Sequence, residues 1–329
     1  MPAGRSIKPI RLLLQCLITA TVLGYLLRKV PFADIARTLN SADLGYVVLA
    51  LMLQVAMRLP NAVRIKIIAD AQALRLSIKT IVSILLSTSF YGLLLPGVLA
   101  GGAATWIKYV QHGADASRAL ACIVINRATE ILTTVSVGIS FWMIDRKLVG
   151  LPDGVFLPLA AITLLSIYAL IFGRAHYLSV VVSHGMRLAS LKNNVLYGKL
   201  VAFANDVARM RELRRGPLVT MLVASLAQEL LGATAMFCFA QALNLELGFY
   251  TVAWMRAGVY LVVLLPLSLM GLGVREGILV LLTAPYGVMA PRAIAWSFLI
   301  FFGTLAAALG GGLIEAHALW FKRSPPPSR

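Results

Sequence analysis

The chain alternates long apolar runs with short polar segments rich in Lys and Arg. A helix that crosses a bilayer needs ~20 predominantly apolar residues. Two glycine-rich apolar pieces, near 97–107 and 276–288, are too short to cross, which predicts broken or re-entrant segments there. The runs long enough to cross predict eight spanning helices, at about 10–27, 44–60, 79–96, 117–143, 155–173, 217–241, 249–266 and 294–318. The pattern predicts an all-α fold, a polytopic membrane helical bundle.

Composition supports a single integral membrane domain over residues 1–329. Hydrophobic residues make up 60% of the chain and charged residues 13%, with a mean hydropathy of +0.85. A typical soluble domain carries about 25% charged residues, so this chain lacks the charge to cover a water-facing surface. We expect a first span with an interfacial segment at 1–43 and a first repeat at 44–143. A span with a cytosolic amphipathic linker follows at 155–216, then a second repeat at 217–320 and a disordered tail at 321–329.

The net charge of +17 reflects topology rather than nucleic-acid binding, because the cations lie in short loops between apolar runs. With both termini placed in the cytoplasm, 22 of the 30 Lys and Arg residues fall on the cytoplasmic side and six on the outer side. Arg127 and Arg256 lie within spans. Cytoplasmic loops carry an excess of Lys and Arg. The sequence therefore predicts a multi-pass protein of the bacterial inner membrane that binds no nucleic acid.

Two segments that would interrupt a spanning helix resemble each other. Residues 94–103 read LLPGVLAGGA and residues 264–273 read LLPLSLMGLG, with the proline and a later glycine in register. Under the predicted topology the two copies are inverted, an arrangement found in transporters whose broken helices line a site. The alternative is packing glycines with a kink at each proline. We predict gating or helix-breaking roles for Pro96, Gly97, Gly101, Gly102, Pro266, Ser268, Gly271, Gly273 and Gly277.

Ions occur inside the apolar runs, where a charge costs ~3 kcal/mol or more and normally faces a polar interior. In one interpretation Arg127 pairs with Glu130, Glu229 pairs with Arg256, and the pairs only fix helix packing. In the other, the cations bind an anionic lipid head group near helix N-termini. An acid in such a position is also a candidate for proton coupling. The candidate head-group residues are Arg275, Glu276, Lys108, Arg127, Glu130, Glu229 and Arg256.

Enzyme motifs are missing from the sequence. The acids form no Asp-rich metal cluster, the histidines no HExxH, and neither GxSxG nor a P-loop occurs. We therefore expect no enzymatic activity, no cofactor and no metal. The run from Gly310 to Gly312 is typical of close helix packing rather than of phosphate binding.

The segment PLSLMGLGVREG closely resembles the Pro-x-Ser-x-x-Gly-x-Gly-x-Arg-Glu-Gly signature of the lysylphosphatidylglycerol synthase transmembrane, or flippase-like, family. LLPGVLAGG and NRATEIL resemble two further elements of that family, although Ala103 and Asn126 stand where the family often has acids. The resemblance covers about residues 75–320. It implies translocation of lipids, lipid-linked sugars or hopanoids, without the cytosolic synthase domain that some members carry.

The first hypothesis is therefore a translocator of a lipid with an anionic or polar head group, moved without ATP. The second is a membrane scaffold that recruits a lipid-modifying enzyme of glycolipid or hopanoid synthesis through residues 174–216. A third is a membrane transferase with a lipid-phosphate donor, which the sparse acids support least.

Overall fold

The computed structural model describes residues 31–94, 98–145, 209–265 and 271–323, together with residues 21, 24, 203, 205, 206 and 268. Within these residues the secondary structure is helical and contains no strand, which confirms the predicted all-α class. Short 3-10 helices cover Arg209–Glu212 and Ala284–Tyr286. The α-helices are α1 Phe32–Asn40, α2 Leu44–Ala56, α3 Arg58–Ala71, α4 Ile78–Leu94, α5 Val98–Gln111, α6 Ala116–Ile144, α7 Arg215–Ala242, α8 Phe249–Leu264, α9 Val274–Thr283 and α10 Ala290–Arg323.

Several helices are long and apolar enough to cross a membrane. Among the described residues these are Leu44–Ala71, Ala116–Ile144, Arg215–Ala242 and Ala290–Leu313, which coincide with four predicted spans. The predicted spans 79–96 and 249–266 correspond to shorter apolar helices, Ile78–Tyr91 and Phe249–Leu264. The predicted spans 10–27 and 155–173 lie outside the described residues. The total of eight spans therefore stays a prediction.

The helical segment that contains the predicted span 44–60 continues beyond residue 60. Helix α3 begins at Arg58, directly after α2, and continues to Ala71. Pro60 stands in the first turn of α3, where a backbone N–H has no partner within the helix in any case. The proline thus starts a helix instead of ending one, and α3 places Arg64 and Lys66 on a helix.

The chain forms two compact units. Unit 1 comprises residues 1–55, 86–101 and 231–329, and its core contains Phe239, Trp296 and Leu279. The indole Nε1 of Trp296 donates to the carbonyl of Met236 at 3.1 Å, so this fully buried ring leaves no polar atom unpaired. The amphipathic helix α1, expected at an interface, packs its fully buried Ile35 into this core.

Close helix packing in unit 1 depends on small residues of α10. Gly303, Ala307 and Gly311 recur every four residues and therefore share one helix face. A Cβ added to Gly311 would lie 2.0 Å from the carbonyl oxygen of Leu86, and one added to Gly312 would lie 2.7 Å from the Phe90 ring. These contacts confirm the predicted packing role for Gly311 and Gly312, whereas a Cβ on Gly310 would meet no atom within 4 Å.

Replacement of Gly311 by Ala should destabilise the protein by about 1–3 kcal/mol, because the added methyl group meets rigid backbone. Gly310→Ala is the matched control, since no atom lies within 4 Å of a Cβ at that position. Thermal unfolding in detergent measures both variants. Equal melting temperatures for the two variants would contradict this packing account.

Unit 2 comprises residues 56–85 and 102–230 and has its own core, which includes Ile68, Cys122 and Met221. The end of the polar stretch 174–216 docks onto it. Gln72 Nε2 donates to the carbonyl of Asp206 at 2.8 Å, and the Ser117 hydroxyl donates to the Asp206 carboxylate at 2.7 Å. Met210 is 1% exposed. Asp206 and Met210, near the end of the predicted linker, are therefore part of this unit.

Helices α6 and α7 run in the same direction within unit 2. Ser117, in the first turn of α6, contacts Asp206 just before α7, and Thr134, farther along α6, contacts Glu229, farther along α7. The predicted topology requires this parallel direction. Two helices separated in sequence by one spanning helix cross the membrane in the same direction, and the predicted span 155–173 lies between α6 and α7. A short helix followed by a long helix occurs in both α5–α6 and α9–α10. The inversion of the second copy stays a prediction.

Candidate functional site

The predicted break between α8 and α9 is present in unit 1. Helix α8 ends at Leu264 and α9 begins at Val274, with Gly273 as its N-cap. Gly271 and Gly273 have φ of +75° and +82°, in the left-handed region that favours glycine. A Cβ on Gly271 would also lie 2.9 Å from Val263 Cγ1. Both glycines are therefore required by the backbone of the break.

Two charged side chains and one hydroxyl, those of Arg275, Glu276 and Ser297, form a hydrogen-bond network at the start of α9. Glu276 is fully buried, and its Oε1 accepts from Arg275 Nη2 at 3.0 Å and from Ser297 Oγ at 2.7 Å. Its Oε2 accepts a hydrogen bond from the backbone N–H of Gly273, and this bond is one half of a capping box. The other half cannot form, because glycine has no side chain to accept from the N–H of Glu276. Arg275 Nε donates to Ser297 Oγ at 2.8 Å.

This network makes the ion pair tolerable in an apolar interior. Arg275 is 6% exposed, and its guanidinium carbon lies 5.2 Å from the centre of the Phe301 ring, an additional cation–π contact. A buried charge is costly unless it is paired and hydrogen-bonded, and both conditions are met here. The geometry supports the interpretation in which the Arg275–Glu276 pair locks the break in place.

Replacement of Glu276 by Ala should cost about 3–5 kcal/mol of stability, because it leaves the Arg275 charge buried without its carboxylate. The double variant Arg275→Met with Glu276→Ala should recover part of that loss, since no buried charge remains. Thermal unfolding of the two single variants and the double variant measures the coupling. Additive losses would show that the pair does not act as a unit.

Arg256, in the middle of α8, lies against α7 at Gly232. A Cβ added to Gly232 would lie 2.6 Å from Arg256 Nη2 and 2.7 Å from both Cζ and Nε. Because three atoms of the guanidinium are nearly equidistant from that point, its plane covers the glycine. Gly232 therefore provides the space in which the Arg256 side chain lies.

Gly232→Ala should displace the Arg256 guanidinium and lower stability by about 1–3 kcal/mol. The same substitution should cost little when Arg256 is already Ala, because the side chain that it displaces is then missing. Gly258→Ala in α8 is the control, since its Cβ would make an ordinary 3.6 Å contact with Leu282. A Gly232→Ala effect that persists in the Arg256→Ala background would refute the role assigned to the glycine.

In unit 2 the predicted pairing of Arg127 with Glu130 is confirmed. Arg127 Nη1 lies 2.9 Å from Glu130 Oε2, and the two side chains are 48% and 17% exposed. Lys108 is half-buried in the last turn of α5. The pair is thus more open than Arg275–Glu276 and presents a cation at the surface of its unit.

Arg64 is a buried cation that sequence reasoning missed. Its Nε donates to Asn126 Oδ1 and its Nη2 donates to Asn61 Oδ1, both at 2.9 Å, and the residue is 1% exposed. The available signal was the spacing of Asn61 and Arg64, three residues apart after a proline, which suits one helix face. That signal was not used because Arg64 was counted only among the cytoplasmic cations that follow the predicted span 44–60.

Asn126, Glu130 and Thr134 form a polar stripe along one face of α6, at four-residue intervals. Thr134 Oγ1 donates to Glu229 Oε1 of α7 at 2.8 Å, and Glu229 is 2% exposed. The neighbouring Gln228 is 4% exposed, and its side-chain oxygen has no hydrogen-bond partner within the described part of the chain. The predicted pairing of Glu229 with Arg256 stays a prediction.

The remaining predicted residues lie as follows. Gly101 and Gly102 are in α5, not in an interruption, and no atom lies within 4 Å of a Cβ at either position. Gly277 is in the first turn of α9. The Ser268 hydroxyl is shielded and has no hydrogen-bond partner among the described residues. Pro96, Gly97 and Pro266 lie outside the described residues.

These features define a polytopic helical membrane protein with buried ions, one pair of which stands at an interrupted helix. The family model described as "Lysylphosphatidylglycerol synthase TM region" matches residues 12–312, so the chain belongs to that family. The comparison with curated proteins gives no match. Among the described residues, no group of three or more His, Cys, Asp or Glu side chains is placed to hold a metal ion.

Proposed function

We propose that the protein translocates a membrane lipid, or a lipid-linked head group, across the bacterial inner membrane. The observation that carries this proposal is the interruption between α8 and α9, where the Arg275–Glu276 pair starts a helix within an apolar segment. Membership of a family named for the membrane region of a lipid synthase supports a lipid substrate. The first hypothesis from the sequence is thus the preferred one.

The physical support is that irregular backbone at membrane depth is stable only when protein buries it or water reaches it. Gly271 and Gly273 cannot continue a right-handed helix in their observed conformations. The backbone N–H groups at the start of α9 point out of the helix and favour negative charge. An interrupted helix of this kind suits the binding of an anionic head group near the middle of the membrane.

In this proposal the Arg275–Glu276 pair holds the break at which the head group binds. Arg256 in unit 1, and Lys108 and Arg127 in unit 2, each add positive charge to their own unit. Glu130 and Glu229 balance part of that charge. The glycines and prolines of the two matched segments act as gates. The sequence contains no P-loop, so movement is downhill or coupled to an ion. Both termini lie in the cytoplasm, as the distribution of Lys and Arg predicts.

Reconstitution into liposomes with a fluorescent lipid tests the proposal. Wild-type protein should make the inner-leaflet label accessible to an impermeant quencher much faster than in protein-free liposomes. Arg275→Lys keeps the charge but loses the planar guanidinium that donates hydrogen bonds to Ser297 and Glu276. The rate at which the label becomes accessible should therefore fall about tenfold.

Arg37→Ala is the control, because Arg37 is an exposed residue that pairs with Asp34 within α1. It should leave the rate unchanged. Label accessibility in wild-type liposomes equal to that in protein-free liposomes, for anionic and zwitterionic lipids alike, would contradict the proposed function.

A further inference from the structure

The ion pair at the break is neutral because it holds one cation and one anion. Arg275 Nη2 lies 3.0 Å from Glu276 Oε1, and the two side chains are 8% and 0% exposed. Ser297 joins them, since its Oγ accepts from Arg275 Nε at 2.8 Å and donates to Glu276 Oε1 at 2.7 Å. A second anion at Arg275 would leave a negative charge uncompensated in a buried site, which is strongly unfavourable.

The guanidinium of Arg275 retains donors for such an anion. A guanidinium has five N–H donors, and the hydrogen bonds of Arg275 to described residues use one on Nε and one on Nη2. The first turn of α9 also has open space, because no atom lies within 4 Å of a Cβ at Gly277. An anionic group can therefore reach Arg275 while the bond to Ser297 is kept.

The other ionisable groups around α9 do not replace the missing positive charge. The helices packed against α9 are α8 and α10. Arg256 of α8 lies against Gly232 of α7, and the described hydrogen bonds of Glu276 do not include it. The other ionisable side chains described on α8, on α10 and on the 3-10 helix after α9 are Tyr250, Tyr260, Arg292 and Tyr286.

We propose that binding of an anionic head group at Arg275 is coupled to uptake of a proton by Glu276, so that the protein moves a proton together with its lipid. This inference rests on the proposed function and supplies the coupling ion for it. The proton comes from water and forms an O–H bond with the Glu276 carboxylate. The site then again holds one cation and one anion. When the head group leaves, the proton returns to water.

Ser297 lets the acid keep its partners when it is protonated. The 2.7 Å between Ser297 Oγ and Glu276 Oε1 is an ordinary O–H···O distance for either direction of donation. In the ionised pair the serine hydroxyl donates to the carboxylate. In the protonated state the acid donates to the serine oxygen, and the serine hydrogen turns to the carbonyl of Ala293, four residues earlier in α10. No helix has to move for this exchange.

Proton uptake can be counted on the purified full-length protein in an uncharged maltoside detergent. Short-chain phosphatidylglycerol is the probe, because its phosphodiester stays ionised at all the pH values used. Calorimetric titrations in two buffers of different ionisation enthalpy give the number of protons bound with the lipid. Wild-type protein should take up about one proton per lipid, and its affinity should fall about tenfold for each pH unit near neutrality, the slope for one coupled proton.

Glu276→Gln keeps the shape of the side chain but cannot take up the proton. It should bind the lipid without proton uptake and with an affinity that no longer depends on pH. Asp34→Asn is the matched control, because it removes an acid from an exposed ion pair of α1, and it should behave as the wild type. Melting temperatures verify that both variants fold.

The wild-type proton count decides the inference even where Glu276→Gln does not fold. A purely structural ion pair predicts that wild-type protein binds the lipid without proton uptake, and that result would overturn the inference. Binding by folded Glu276→Gln that keeps the pH dependence of the wild type would also overturn it.

Proton uptake and lipid movement separate this inference from the proposed function. Uptake on binding, with no movement of labelled phosphatidylglycerol in liposomes, would sustain the inference and contradict translocation. Movement at a rate independent of an imposed pH gradient, with no uptake on binding, would sustain translocation and contradict the inference. Equal affinity and uptake with glycerophosphoglycerol, the same phosphodiester without acyl chains, would sustain proton coupling and contradict a lipid substrate.

Discussion

Every charge and every interrupted backbone segment inside this protein must find its partner within the protein, because a lipid environment supplies none. The start of α9 shows how strict this requirement is. The carboxylate of Glu276 accepts from the N–H of Gly273, from Arg275 and from Ser297, so a single side chain caps the helix, balances a cation and joins α9 to α10. The break is stable because all three donors bind the same carboxylate at the start of α9.

The two units meet the same requirement with different partners. In unit 1 the Arg275–Glu276 pair is neutral as a pair and almost completely buried. In unit 2 Arg64 is equally buried and donates to the side-chain oxygens of Asn61 and Asn126. A neutral buried pair gives rigidity and little long-range field, so the ions at the break have a mainly structural role.

The sequence predicted the features that depend on local spacing. Apolar run length identified the long helices, the glycines near residue 271 identified the break, and three-residue spacing identified the Arg127–Glu130 pair. It could not predict Ser297 as a partner of Arg275 and Glu276, because these residues are more than twenty positions apart and no spacing rule connects them. Arg64 was missed for a different reason, since it follows the predicted span 44–60 and its charge suggested only a cytoplasmic position.

Helix α10 links packing to the ion network of unit 1. Without a hydrophobic force between helices in lipid, close approach through small residues drives their association. Gly311 brings α10 against the backbone of α4 at Leu86, and Gly303 lies where a Cβ would meet Gln54 and Phe239. The same helix carries Ser297 and Phe301, which both contact Arg275. Because an α-helix is stiff, the small residues that fix the height of α10 also fix the height of the Ser297 hydroxyl, about 21 Å from Gly311. The Ser297 hydroxyl accepts from Arg275 and donates to Glu276, so both hydrogen bonds tolerate little displacement of α10 along its axis. The glycines that fix the position of α10 are therefore necessary for the network at the break.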